Sequence, residues 1–136
     1  MNTRSGSFAK EVAAIAPAGC DVVLDTIGAK YLEENLQVLA RQGRIVTIGL
    51  LGGAKGEINL GALLAKRATW MGSVLRARPL EEKAALAQIF RREMVPLFER
   101  GALLPVVDAV LPMQEISEAH RRMDANETFG KIVLTW

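Results

Sequence analysis

Two stretches of this sequence carry the same instruction. Gly19-Cys20-Asp21-Val22-Val23-Leu24-Asp25-Thr26-Ile27-Gly28 and Gly43-Arg44-Ile45-Val46-Thr47-Ile48-Gly49-Leu50-Leu51-Gly52-Gly53 are each a short β-branched run flowing into a glycine-bearing turn. Between them Leu32, Leu36 and Leu39 recur at helical spacing. Strand, helix and strand in that order make a βαβ unit. The runs Val22 to Leu24 and Ile45 to Ile48 are apolar on both faces, which predicts strands covered on both sides, as in a parallel sheet. Ligands of such sheets bind at the carboxyl ends of the strands, so Gly28 and Gly49 to Gly53 lie where a ligand is expected.

The other elements follow from their own punctuation. Phe8, Val12, Ile15 and Ala16 make a helical face that follows Ser5-Gly6-Ser7 and is ended by Pro17 and Gly19. Asn59 is placed to cap a short helix through Leu60, Leu63, Leu64 and Ala65, with Lys66 and Arg67 at its carbonyl end. Thr69 to Leu75 reads as a further strand with Gly72 inside it, and an interior glycine marks close approach by a ligand or another chain. Pro79 opens a long helix with Glu81 and Glu82 near its positive end, and Pro96 breaks it after Glu93 or Met94. Gly101 ends that helix. Val106 to Leu111 then reads as a strand, Pro112 introduces a helix with Ile116, Ala119 and Met123 on one face, and Lys131 to Trp136 closes as a strand. The fold class expected is α/β, with a mostly parallel sheet and flanking helices, followed by a β-α-β tail.

Length and charge narrow the function classes. A chain of 136 residues can bury a real core. Seventeen basic against fifteen acidic residues leave a net charge of +2, too little to imply nucleic acid or a membrane surface. The arginines at 76, 78, 91, 92, 121 and 122 are balanced by acids and lack interleaved aromatics, which argues against a nucleic-acid binder. No apolar run approaches the ~18–20 residues of a spanning helix. Residues 1–10 lack the apolar core of a signal peptide, and one cysteine excludes an internal disulfide framework, so a cytoplasmic protein is expected.

The series DVVLDTIG, GRIVTIGLLGG, KRATWMGSVLRARP and FGKIVL, taken in order, resembles the quinone oxidoreductase branch of the medium-chain dehydrogenase/reductase superfamily. The resemblance covers essentially the whole chain but only the rear of the family's enzyme. It implies that residues 1–101 are the second half of a Rossmann-like nicotinamide-binding domain and residues 102–136 the return segment of the catalytic domain. The Gly-rich phosphate loop and the front catalytic domain have no counterpart here. The resemblance further implies NADPH, with NADH second, and a quinone or enone as substrate. It implies cofactor contacts at Thr3, Arg4, Ala29, Thr47, Ile48, Gly49, Leu50, Gly72, Ser73 and Val74. It also implies a homodimer through the Thr69 to Leu75 edge.

Each of these positions has a blander alternative. Arg4 offers a planar fork to a 2′-phosphate, or is a solvated arginine near a terminus. Asp25 is a polar contact or helix cap, or a turn residue bonding its own backbone. Gly49 to Gly53 leaves amides uncovered for a flat ring, or is one of the common glycine turns after strands. Trp70 and Met71 read as interface or core. Arg76 and Arg78 are a basic rim or two exposed arginines.

The chemistry is bounded by absences. A zinc site needs several converging nitrogen or sulfur ligands, and Cys20 and His120 are the only residues of those types. The same count excludes a nucleophilic triad. The family's quinone branch works without zinc, its hydride coming from the cofactor, so no catalytic residue is named and no metal is expected. The rival class is a non-catalytic dimerisation or scaffolding module with no cofactor of its own.

Overall fold

The computed structural model describes residues 7–136 and divides the chain into two compact units, split between Arg78 and Pro79. The boundary expected at 101/102 falls inside the second unit. Among the described residues no helix is long and apolar enough to cross a membrane.

In the first unit, α1 (Phe8–Ile15) precedes β1 (Cys20–Asp25), α2 (Leu32–Val38), β2 (Leu39–Thr47), α3 (Leu60–Lys66) and β3 (Thr69–Gly72). The strands form one parallel sheet in the order β1-β2-β3, as the repeated strand-and-turn stretches require. Strand β3 stops at Gly72, short of the Leu75 expected. One face of the sheet is packed. Ile45 is fully buried with Leu36 and Leu39, and Val23, Ala62, Leu63, Ala68 and Trp70 close around them. The opposite face carries Val22, Leu24 and Met71, which are 60%, 65% and 48% exposed, so within this unit the two-sided cover predicted from these apolar runs is only one-sided. A strand's side chains alternate between faces, which is why neighbours such as Val22 and Val23 have opposite fates.

The helix ends are satisfied by residues from other elements. The first amides of α1 point at Glu34 of α2, whose Oε2 accepts from Phe8 N at 2.9 Å, from Ala9 N at 3.3 Å and from the Ser7 hydroxyl at 3.0 Å. A carboxylate at a helix N-terminus satisfies orphan donors and complements the helix dipole. At the other end of α2, Lys66 Nζ donates to the carbonyls of Gln37 and Leu39. Helix α2 ends at Val38, and Leu39 turns extended (φ −71°, ψ 134°) while its side chain stays in the core. Asn59 caps α3 by accepting from Ala62 N at 3.0 Å, as its position predicts.

The second unit contains α4 (Leu80–Glu93), α5 (Val95–Glu99), β4 (Val107–Pro112), α6 (Ile116–Asp124) and β5 (Lys131–Thr135). The break between α4 and α5 falls at Met94, ahead of Pro96. Gly101, in the left-handed region at φ 70°, follows α5. β4 and β5 pair in parallel around α6, the expected β-α-β arrangement. Asp108 locks it, accepting from Arg122 at 3.1 Å and from Phe129 N at 2.9 Å.

Candidate functional site

The register of the sheet sets Asp25, Thr47 and Gly72 side by side at the carboxyl ends of their strands. Beyond them the two glycine turns zip together. Ile48 N donates to Asp25 O at 2.8 Å, Leu51 N to Thr26 O at 3.4 Å, Gly52 N to Ile27 O at 2.7 Å and Ala29 N to Gly53 O at 2.9 Å. The expectation that Gly49 to Gly53 leave their amides uncovered is corrected at three of the five: Leu51, Gly52 and Gly53 N donate to backbone carbonyls, and so does Ala29 N. Extended backbone segments lying this close satisfy each other, because a buried unpaired amide is costly.

The glycines are there for that contact. At Gly28 the backbone has φ 79° and ψ −130°, and an added Cβ would stand 2.7 Å from the Gly53 carbonyl oxygen. At Gly49 it would stand 2.7 Å from the Thr26 carbonyl oxygen. Gly72 differs. A Cβ there meets nothing nearer than the Thr47 carbonyl oxygen at 4.0 Å, and its backbone is ordinary strand.

Asp25, 3% exposed, answers both alternatives raised for it. Its Oδ1 accepts from Ile27 N at 2.9 Å and Gly28 N at 3.0 Å, bonding its own turn. Its Oδ2 accepts from the Thr47 hydroxyl at 3.1 Å, reaching across to β2. That hydroxyl in turn accepts from Trp70 Nε1 at 3.0 Å.

Gly28, Thr47 and Trp70 border a cleft of about 320 Å³. Of the expected contacts, Ala29, Thr47, Leu50 and Gly72 line it, joined by Gly28. Ile48, Gly49, Ser73 and Val74 stand beside the strand ends without lining it, and Thr3 and Arg4 lie outside the described residues. Ser73 Oγ and Val74 O accept from Arg78 at 3.0 Å each, so that arginine folds onto its own loop. Leu32, Ala54, Gly56, Ile58 and Trp70 complete the lining and were not expected. Trp70 was legible: residues i and i+2 of a strand share a face, so a strand that offers Gly72 to the cleft offers Trp70 as well. The other four come from the loop after β2 and the start of α2, whose path no local pattern fixes.

No charged side chain lines the cleft. A larger groove of about 690 Å³ runs between α2 and α3, shares Leu32 and Ile58 with the cleft, and carries Glu33, Glu57 and Lys66. Desolvation holds the Lys66 ammonium below its ordinary pKa.

With this geometry in view, the comparisons with known proteins decide the family. The sequence profile described as zinc-binding dehydrogenase matches residues 1–134. The chain belongs to the zinc-binding dehydrogenase family. Among solved structures it is similar to an NAD-dependent alcohol dehydrogenase, with 31% identity and a TM-score of 0.75 over 99% of this chain and 37% of that one. It is also similar to the 2-octenoyl-CoA carboxylase reductase CinF in complex with NADP and 2-octenoyl-CoA, with 29% identity and a TM-score of 0.73 over 93% of this chain and 26% of that one. Quinone oxidoreductase-like protein 2 of Bos taurus is 25% identical over 99% of this chain and 39% of its own length. The chain thus spans well under half the length of the relatives it matches. It is an α/β piece of the medium-chain oxidoreductase type, as the sequence motifs imply.

The family's description names zinc, and the donors present do not suit it. Cys20 is half-buried on β1, His120 is exposed on α6, and the described residues hold no group of three or more His, Cys, Asp or Glu able to surround a metal ion. No chemical step is derived through zinc.

Proposed function

We propose that this chain supplies the nicotinamide side of an NADPH-dependent oxidoreductase that transfers hydride to a quinone or a related enone or carbonyl acceptor. Gly72 is the observation that carries the proposal. Gly28 and Gly49 are demanded by the packing of one turn on the other, whereas nothing among the described residues requires Gly72 to lack a side chain. A glycine that the fold does not need, at a strand end and in the wall of a cleft, is accounted for by a ligand lying against it. The uncharged lining suits the face of a planar ring and offers nothing to a phosphate.

When bound, the nicotinamide supplies the hydride. The residues of this chain bind and orient the ring: Gly72 by close approach, Thr47 and Trp70 as wall, Leu50 by excluding water. The amides of Ala29, Leu51, Gly52 and Gly53 are spent within the turns, so they are not what holds the pyrophosphate. The 136 residues contain no dinucleotide glycine fingerprint to hold it. The isolated chain is accordingly inactive. The preference for NADPH rests on the family resemblance and on Arg4.

The test is cofactor-dependent reduction of 1,4-naphthoquinone and of an enone by the complete gene product, compared with its Gly72→Ala variant. The variant keeps its melting temperature and raises the KM for NADPH about tenfold, the effect of one misplaced methyl in a binding pocket. An unchanged KM refutes the role of Gly72, and no cofactor-dependent activity in the wild type refutes the reading as an enzyme.

The rival reading, a dimerisation module, draws on the edge of the sheet. Among the described residues β3 pairs only with β2, and an unpaired strand edge is a template for a second copy about a twofold axis. Dimerisation through this edge is compatible with the first reading, whereas a module with no cofactor of its own is not, and light scattering on the purified chain tests the edge. A strictly monomeric mass at high concentration removes it.

A further inference from the structure

At the carboxyl end of the first sheet a single hydroxyl stands between two partners. Trp70 Nε1 donates to Thr47 Oγ1 over 3.0 Å, and Thr47 Oγ1 gives its own hydrogen to Asp25 Oδ2 over 3.1 Å. The second oxygen of Asp25 takes the amides of Ile27 and Gly28. One chain of bonds thus runs from β3 through β2 to β1, and on into the turn that meets Gly53. Direction decides which residue is indispensable. An indole N–H only donates and a carboxylate only accepts, so a group able to do both must join them. Valine has the shape of threonine and can do neither, whereas serine can do both.

Trp70, Thr47 and Gly28 all line the cleft, so this relay holds three parts of its wall in fixed relation. The indole of Trp70 also packs against the Ile45, Leu36 and Leu39 core, so packing seats one side of the ring and the bond to Thr47 fixes its N–H edge. We propose that Thr47 is a positioning residue: through Trp70 it fixes the plane of the indole as one wall of the cleft, and through Asp25 it holds the Gly28 turn, so that a planar ring enters a preformed slot. The proposal rests on the reading of this cleft as the nicotinamide side. A slot fixed in advance binds without the cost of ordering its walls.

The test uses the chain with Trp136→Phe, which removes the fully exposed second tryptophan and leaves Trp70 as the sole reporter. Thr47→Val and Thr47→Ser are compared with it in two measurements: hydrogen exchange of the indole N–H by NMR, and quenching of Trp70 fluorescence by reduced nicotinamide mononucleotide. Thr47→Val speeds indole exchange at least tenfold and weakens the mononucleotide about tenfold, and Thr47→Ser restores both to within twofold of the parent. Indole exchange that is the same in all three proteins overturns the relay. A released indole with unchanged mononucleotide affinity overturns its positioning role. If the parent does not respond to the mononucleotide at all while Thr47→Val still releases the indole, the nicotinamide reading falls and the relay stands. Should Thr47→Val not fold, Trp70→Phe keeps a ring without the N–H. Mononucleotide affinity of that variant, measured by calorimetry, equal to the parent's overturns the proposal.

Discussion

Replacing Gly28 by alanine tests how the two turns are held together. The residue sits at φ 79° and ψ −130°, a region that only glycine adopts freely, and forcing a side chain there costs roughly 1–3 kcal/mol. The new Cβ lands 2.7 Å from the Gly53 carbonyl oxygen and 2.8 Å from Leu50 Cδ2. Leucine can rotate away. The carbonyl belongs to backbone and cannot yield without losing its 2.9 Å bond from Ala29 N, a further loss of about 1 kcal/mol. Alanine returns roughly 0.4–1 kcal/mol by narrowing the unfolded ensemble. The net loss is about 1–4 kcal/mol, or on the order of 5–25 °C in melting temperature for a unit of this size. Urea unfolding followed by Trp70 fluorescence reads it, and Gly72→Ala is the control. At Gly72 the added methyl meets no neighbour, so stability holds or rises by about 0.5 kcal/mol, since glycine weakens a strand. Gly28→Ala within 0.5 kcal/mol of wild type, or Gly72→Ala as damaging as Gly28→Ala, refutes the assignment of glycines to packing and to ligand.

Three further outcomes are expected. Ile45→Ala, at the fully buried centre of the first sheet, costs roughly 2–5 kcal/mol and leaves the first unit unfolded at room temperature in circular dichroism. Glu118 is held below its ordinary carboxylate pKa by its hydrogen bond and ion pair with Arg121, so it stabilises the second unit above pH 4.5 and the contribution disappears as pH falls through the lowered value; Glu118→Gln flattens the acid limb of an unfolding profile between pH 5 and 3. NADPH titrated against the isolated chain by calorimetry gives no micromolar binding, because the dinucleotide glycine fingerprint that makes charge-assisted phosphate contacts, each worth roughly 1.5–3 kcal/mol, is not in the 136 residues.

The two strand-and-turn stretches were sufficient to place β1, β2 and the cleft because a parallel sheet ties strand ends to ligand position with little help from the rest of the chain. Asn59, Pro96 and Gly101 announced their roles for a similar reason: capping, ring geometry and positive φ are local properties. The unpredicted features are those that pair residues distant in sequence. Nothing around Glu34 says that it will cap α1, nor around Lys66 that it will take the last carbonyls of α2. The same limit hid the shorter β3, whose end is set where Ser73 N turns to Thr47 O at 2.9 Å and Arg78 gathers the loop behind it.

Glycine was the most informative residue and also the one most easily misjudged. In the sequence, Gly28 and Gly49 follow β-branched runs and Gly72 lies inside a strand stretch, yet all three read alike as points of close approach. The structure separates them by asking what a methyl group would strike. At the first two it strikes backbone, so the missing side chain is explained by a neighbouring segment of the same chain, and no ligand need be invoked. At Gly72 it strikes nothing, and the explanation has to come from outside the described residues. If Gly72→Ala and Gly28→Ala part in the two assays, cofactor affinity falling in the first while stability holds, and stability falling in the second, then the cleft owes its form to packing among the turns and its vacancy at β3 to the ring that fills it.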